Sequence, residues 1–285
     1  MNMTKKQTTL TAAIAVLIYL LLWIIWSNQA LEVHEFQINS DQIPESFTGF
    51  RIAQVSDLHN AEFGEGNSNL IELLAQTNPD IIVLTGDLID SRRTDVKIAL
   101  DFARQALAIA PVYYVSGNHE ARVSEYWELK TGLTEIGVVI LENDRIELAR
   151  AGEQITLMGI QDPSFRESYL YGDSESIVMQ AINALQNESD GYTILLSHRP
   201  ERFETYVDAG VDLVFSGHAH GGQFRLPFIG GVVAPNQGLF PEYDAGLFSK
   251  ENTNMIVSRG VGNSIIPIRF NNRPEIVVVT LRNVK

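Results

Sequence analysis

From Phe50 onward the chain alternates short apolar runs with amphipathic stretches, and no other feature limits its fold so much. The runs are "RIAQVS", "DIIVLTG", "PVYYVSG", "VVILEN", "ITLMGI", "YTILLS", "VDLVFSG", "MIVSRG" and "EIVVVTLR". Each has the length of a strand buried on both faces. Between them, helical patterns occupy about Asn67 to Thr77, Thr94 to Ala110, Ser124 to Ile136, Ser174 to Gln186 and Pro200 to Asp208. Strands alternating with helices predict an α/β domain. The stretch Gly221 to Phe248, rich in glycine, proline and aromatics, reads as a long loop that is functional or mobile.

The N-terminus follows a different pattern. After Lys5 and Lys6 no charge appears until Glu32, and "LTAAIAVLIYLLLWIIW" fills the interval. Roughly 20 apolar residues span a bilayer, so this segment predicts a single transmembrane helix. Lysines before it and the acids Glu32 and Glu35 after it place the N-terminus in the cytoplasm and the rest outside, with Trp23 and Trp26 at the outer interface. A cleaved signal peptide is the competing reading, against which stand the length of the run and the poor cleavage site "SNQA". The expected division is a cytoplasmic tip and membrane anchor over residues 1–31, a linker and edge strand over 32–49, and a catalytic domain over 50–285.

Composition removes some functions. A formal net charge of −14 argues against a nucleic-acid backbone binder. With no cysteine, any metal must be held by histidine, carboxylate, amide or water.

Five of the six histidines then fall just past the C-terminal ends of predicted strands, where the loops of a parallel sheet converge on ligands. Asp57 and His59 follow "RIAQVS"; Asp87 follows "DIIVLT"; Asn118 and His119 follow "PVYYVS"; His198 follows "YTILLS"; His218 and His220 follow "VDLVFS". His34, in the linker, has no assigned role. In an extended segment residues two apart point the same way, so Asp57 with His59, and His218 with His220, can each offer two ligands to one pocket. Gly86, Gly117 and Gly217 allow tight turns and leave room beside a small polar site. Imidazole, carboxylate and amide together suit manganese, iron or zinc. The set is too large for one ion, and two ions sharing a carboxylate would use it all.

The ordered blocks "DLH", "GDLID", "GNHE", "SHRP" and "GHAH" resemble the calcineurin-like metallophosphoesterase superfamily, and the preceding anchor resembles its bacterial membrane-anchored envelope branch. The resemblance implies a four-layer αββα sandwich and hydrolysis of a phosphomonoester, phosphodiester or pyrophosphate, on an envelope or lipid-related substrate. It implies one divalent ion on Asp57, His59, Asp87 and His220, and a second on Asp87, Asn118, His198 and His218, with Asp87 bridging. A metal-bridging hydroxide would attack phosphorus in line, and His119, not a ligand, would assist the leaving group.

One departure stands out: the family commonly reads G-N-H-D, and here Glu120 follows His119. Asp90 and Glu120 are expected either to serve structure or to support the ligands from behind. Arg166, Arg199, Arg225 and Arg269 are candidates for the substrate phosphate, although each is more often a solvated surface residue. Two other classes compete. A metallo-β-lactamase type of site needs H-x-H-x-D-H, which "HAHGGQ" does not supply. A non-catalytic envelope binding protein would lack ligands, and none is missing.

Overall fold

The computed structural model describes residues 5–166, 174–186 and 191–285; the first four residues of the expected tip lie outside that set. Helix α1, Lys5–Gln29, has a mean hydropathy of 2.3 over its most apolar stretch, none of which is buried. It runs into strand β1, Glu32–Ser40. The first β/α series is β2 (Arg51–Val55), α2 (Ser68–Gln76), β3 (Ile81–Thr85), α3 (Val96–Leu107), β4 (Val112–Val115), α4 (Tyr126–Ile136) and β5 (Val139–Ile140). The second comprises β6 (Asp144–Arg150), β7 (Glu153–Gly159), α5 (Ser174–Gln186), β8 (Thr193–Leu196), α6 (Phe203–Asp208) and β9 (Leu213–Ser216). Two small ribbons follow, β10 (Arg225–Leu226) with β11 (Gly230–Gly231), and β12 (Val233–Ala234) with β13 (Gly238–Leu239). Strands β14 (Gly246–Lys250), β15 (Thr253–Val257) and β16 (Glu275–Asn283) complete the chain.

Two six-stranded mixed sheets result, ordered β1-β16-β2-β3-β4-β5 and β14-β15-β9-β8-β7-β6. Period-two alternation explains how they stack. In β3, Ile81 and Val83 point between the sheets while Ile82 and Leu84 point outward; in β9, Leu213 and Phe215 point inward and Val214 outward. The inner residues form one core between the sheets. Ile82, Leu84 and Tyr114 pack under α2, α3 and α4, and Met158, Leu195 and Val214 pack under α5 and α6. This is the expected αββα sandwich. The fully buried Gln54 crosses between the layers, donating from Nε2 to Thr85 Oγ1 (2.9 Å) and to the Ser216 carbonyl (2.8 Å), and so ties β2 and β3 to β9 at the end where the site forms.

Two expectations need correction, and one strand is announced by no apolar run. "VVILEN" yields only the two-residue β5, paired with Tyr113 and Tyr114 of β4. The polar segment "DRIELAR" forms β6, an edge strand with only one covered face and hence no apolar run to announce it. Gly221 to Phe248 is not a structureless loop: it folds into both ribbons and delivers β14 to the edge of the second sheet.

Candidate metal centre

The strands β2, β3, β4, β8 and β9 end side by side, and the residues that follow them turn into one buried pocket. Asp57, His59, Asp87, Asn118, His119, His198, His218 and His220 are each at most 4% exposed. The structure brings all of them together.

The way they converge differs from the extended pairs expected. Asp57, His59, Asp87, His218 and His220 all have positive φ, between 47° and 66°. A left-handed residue other than glycine costs roughly 1–2 kcal/mol. Five in one pocket mark a backbone held against its preference, a feature concentrated at functional sites. Main-chain bonds hold the strain in place: Asp57 N–H donates to the Gly86 carbonyl and His59 N–H to that of Asp87, both at 3.0 Å. The close approach also requires glycine at two positions. A Cβ on Gly117 would lie 2.3 Å from Asp87 Oδ1, and one on Gly217 would lie 2.0 Å from Ser56 Oγ.

Two triads of ligand atoms face each other. In the first, His59 Nε2 lies 3.7 Å from Asp57 Oδ1 and 3.2 Å from His220 Nε2, with His220 Nε2 3.4 Å from Asp57 Oδ1. In the second, His198 Nε2 lies 3.2 Å from Asp87 Oδ2 and 3.1 Å from His218 Nδ1. Asp87 Oδ2 is also 3.6 Å from His59 Nε2, between the two groups. Neighbours fix the tautomers: His198 Nδ1–H donates to the Thr85 carbonyl at 2.7 Å, and His218 Nε2–H to Asn236 Oδ1 at 2.8 Å. Each ring thus turns its free lone pair inward, as a metal-binding imidazole requires.

The donor set fits divalent cations. Asn118 Oδ1, His59 Nδ1 and His220 Nδ1 are buried without a hydrogen-bond partner among the described residues, and an orphaned buried carboxamide oxygen is chemically suited to a cation. The electrostatics agree. Burial opposes the charge on Asp57, yet His220 and His59 hold it well below the usual carboxylate range. Burial likewise opposes the charge on Asp87, and His198 outweighs it. His198, despite its own burial, is raised to about 10 by Asp87. Burial pushes His220 down to about 3 and His218 well below its ordinary value. Ionised Asp57 and Asp87 beside neutral His218 and His220 are the forms in which these groups ligate a cation.

His119 stands apart from both triads. Its Nδ1 accepts the Ser91 backbone N–H (3.0 Å), so in the neutral ring the proton sits on Nε2, 3.1 Å from Ser264 Oγ. It forms a third close group with His59 and Asp90, but its Nδ1 lone pair is engaged. Burial lowers its pKa to about 4. Asp90 Oδ2 lies 3.7 Å from His59 Nδ1. Glu120 is fully buried, and its carboxylate accepts the amide hydrogens of Asp87, Leu88, Ile89 and Gly117. The longer acid in "GNHE" therefore grips the loop after β3 and does not touch the His119 ring. His34 pairs with Glu275 (2.5 Å), but Glu32 and Glu275 are already held by Arg259 and Arg273.

Of the four arginines, Arg199 and Arg269 are not surface residues; they are 2% and 0% exposed. Arg269 donates to the carbonyls of Arg259 and Gly262. Arg199 grips Asp162 through Nε and Nη2 (2.6 and 3.0 Å) and brings Nη1 to 3.2 Å from His218 Nε2. Arg225 pairs with Asp244. Arg166 lines a cavity beside α5. Asn236, Ser91 and Ser264 were not foreseen. None of them is a residue of the quoted motifs, although Ser91 directly follows "GDLID", and the fold carries them to the histidines.

Back-to-back mixed sheets with buried carboxylate and imidazole groups at the strand ends define a metal-dependent hydrolase of α/β type. The chain belongs to the calcineurin-like phosphoesterases, whose family model matches residues 50–222. It is 31% identical over 258 residues to the uncharacterized metallophosphoesterase YkuE of Bacillus subtilis, covering 89% of this chain and 86% of that one. It is 29% identical to the phosphodiesterase YaeI of Escherichia coli, covering 81% and 82%. A zebrafish transmembrane protein with metallophosphoesterase domain is 29% identical, covering 97% of this chain and 63% of that protein. The protein is accordingly a metal-dependent phosphoesterase, and its apolar N-terminal helix together with the zebrafish relative supports membrane anchoring.

Proposed function

We propose that Asp57, His59, Asp87 and His220 hold one divalent ion and Asp87, Asn118, His198 and His218 a second, with manganese, iron or zinc as the metals the donors suit. One observation carries this reading: Asp87 Oδ2 lies within 3.6 Å of a ring nitrogen in each triad, which supports its being shared. Bound there, such ions would supply positive charge for the phosphoryl oxygens and acidify a water for in-line attack on phosphorus.

The remaining roles fall to the chain itself. His119, whose Nε2–H is the donor facing Ser264, hydrogen-bonds or protonates the leaving oxygen. Ser91 fixes that tautomer through Nδ1. Glu120 holds the loop after β3, and Asp90, whose Oδ1 accepts the Arg92 N–H, supports the same loop behind the His59 ring. The catalytic domain is 50–285, carried outside the cytoplasm by the anchor within 1–31 through the linker and edge strand at 32–49. The lysines at the start of α1 and the acids after it support that orientation. The substrate is an envelope or lipid-related phosphoester; the name of the Escherichia coli relative favours a diester.

The full chain in detergent, loaded with manganese, should hydrolyse bis-p-nitrophenyl phosphate. Full metal occupancy with no turnover of it or of p-nitrophenyl phosphate would replace hydrolysis by a binding role. Protease added from the outer face should clip the domain, and complete protection would reverse the orientation.

A further inference from the structure

The anchor helix is built into the catalytic domain. Asn28 Oδ1 accepts from Asn263 Nδ2 (2.8 Å) and from the Arg269 backbone N–H (3.1 Å), and Asn28 Nδ2 donates to the Arg269 carbonyl (3.1 Å). The Arg273 guanidinium lies 4.9 Å from the Trp26 ring centroid, a pairing suited to a membrane interface. Pro267 shares a cavity of about 390 Å³ with Ile24 and Ile25, so the segment around it runs beside apolar residues of the anchor that precede its polar end. Ile265 and Ile268, which flank Pro267, are 68% and 40% exposed.

The two ribbons are tied to this same segment. Gln223 Nε2 donates to the carbonyls of Ile266 (2.8 Å) and Ile268 (2.7 Å), and Arg225 N–H donates to that of Phe270 (3.0 Å). They carry Leu226, Phe228, Ile229, Leu239 and Phe240, all exposed and Phe228 completely so. Such a group of large apolar side chains marks a contact surface, not an ordinary solvated face. Between Ile265 and Ile266 on one side and Val233, Ala234 and Pro235 on the other lies a largely apolar cleft of about 230 Å³, and His220 stands in its wall.

We propose that this surface seats in the bilayer the anchor crosses, and that the cleft takes the hydrocarbon chain of a membrane-resident phosphoester, setting its phosphate beside His220. The inference rests on the hydrolytic reading of the metal centre. A bilayer is the occupant the anchor dictates, because the same hydrogen bonds that fix α1 fix Ile265 and Ile268 alongside it. A lipid held this way keeps its tail in an apolar environment throughout, so no hydrocarbon need enter water to bring the phosphate to the metals.

Two measurements on the full chain in proteoliposomes test this. Because the chain has no cysteine, Phe228→Cys and Ile265→Cys give single sites for an environment-sensitive fluorophore, with Asn252→Cys, in the β14–β15 turn at the end of the strands away from the site, as control. Spin-labelled lipids should quench the first two and not the third. In detergent, kcat/KM for alkyl p-nitrophenyl phosphodiesters should rise from methyl to octyl, by about tenfold for every two methylenes that enter the cleft. Unquenched probes at both positions, or a flat chain-length series in an enzyme that turns over bis-p-nitrophenyl phosphate, would overturn the proposal and leave hydrolysis standing. An enzyme inert toward every ester would instead remove the reading beneath it.

Discussion

Glu120 Oε2 accepts the backbone N–H of Asp87 at 2.9 Å, so a buried carboxylate holds Asp87 by its main chain, while Asp87 Oδ1 accepts the His119 N–H and Oδ2 faces His198. Glu120→Gln would turn an NH2 group toward amide donors. Each donor left unpaired costs about 1–3 kcal/mol, so the urea midpoint should fall and metal affinity with it. A glutamine variant as stable as the parent would show that the four amide bonds contribute nothing.

His119 and Asp87 should separate chemistry from metal binding. His119→Ala should keep both ions and lose about 10²–10⁴-fold in kcat, whereas Asp87→Ala should lose metal outright. Elemental analysis alongside the assay checks both. Loss of metal from the His119 variant would mean that the ring is a ligand.

Gly117→Ala tests how tightly the loops pack. Its Cβ would sit 2.3 Å from Asp87 Oδ1 and 2.6 Å from the Asp87 nitrogen, so the ligand itself must move. Overpacking of this kind costs about 1–3 kcal/mol. The expected outcome is weaker metal binding on titration of the apo-protein, out of proportion to the change in stability. An unchanged titration would mean that the loop relaxes freely.

The buried Asp162–Arg199 pair predicts a pH dependence. Burial alone would raise Asp162, but Arg199 outweighs it and holds the carboxyl below its ordinary 3.8. A depressed folded-state value stabilises the fold above the unfolded pKa, and this contribution disappears as pH falls through the folded value. Asp162→Asn should therefore cost about 3–5 kcal/mol at neutral pH and flatten the acid limb of the stability profile. Melting temperatures from pH 7 down to about 3 decide this; parallel profiles for parent and variant would refute it.

How far the sequence spoke for itself depended on burial. Strands such as Ile81–Thr85, covered on both faces, stand out as apolar runs, and the helices around Ser68, Val96, Tyr126 and Ser174 were located to within a few residues. Asp144–Arg150 and Gly246–Lys250 escaped notice because an edge strand with a wet face needs no apolar run. Histidines and aspartates at strand ends were legible because their chemistry is rare. The left-handed turns at Asp57 and His218 were not, since neither residue type demands that conformation. Nor were the partnerships of Arg199 with Asp162 and of His119 with Ser264, which join segments 37 and 145 positions apart.

The order β1-β16-β2 has a consequence for biosynthesis. Strands β1 and β2 do not pair with each other; the slot between them is filled by Glu275–Asn283, the last strand in chain order among the described residues. Throughout translation the first sheet therefore stands open in its middle, with the anchor already available for insertion. Closure of the first sheet waits for synthesis of Glu275–Asn283, and a chain interrupted before Glu275 would leave the facing edges of β1 and β2 unpaired.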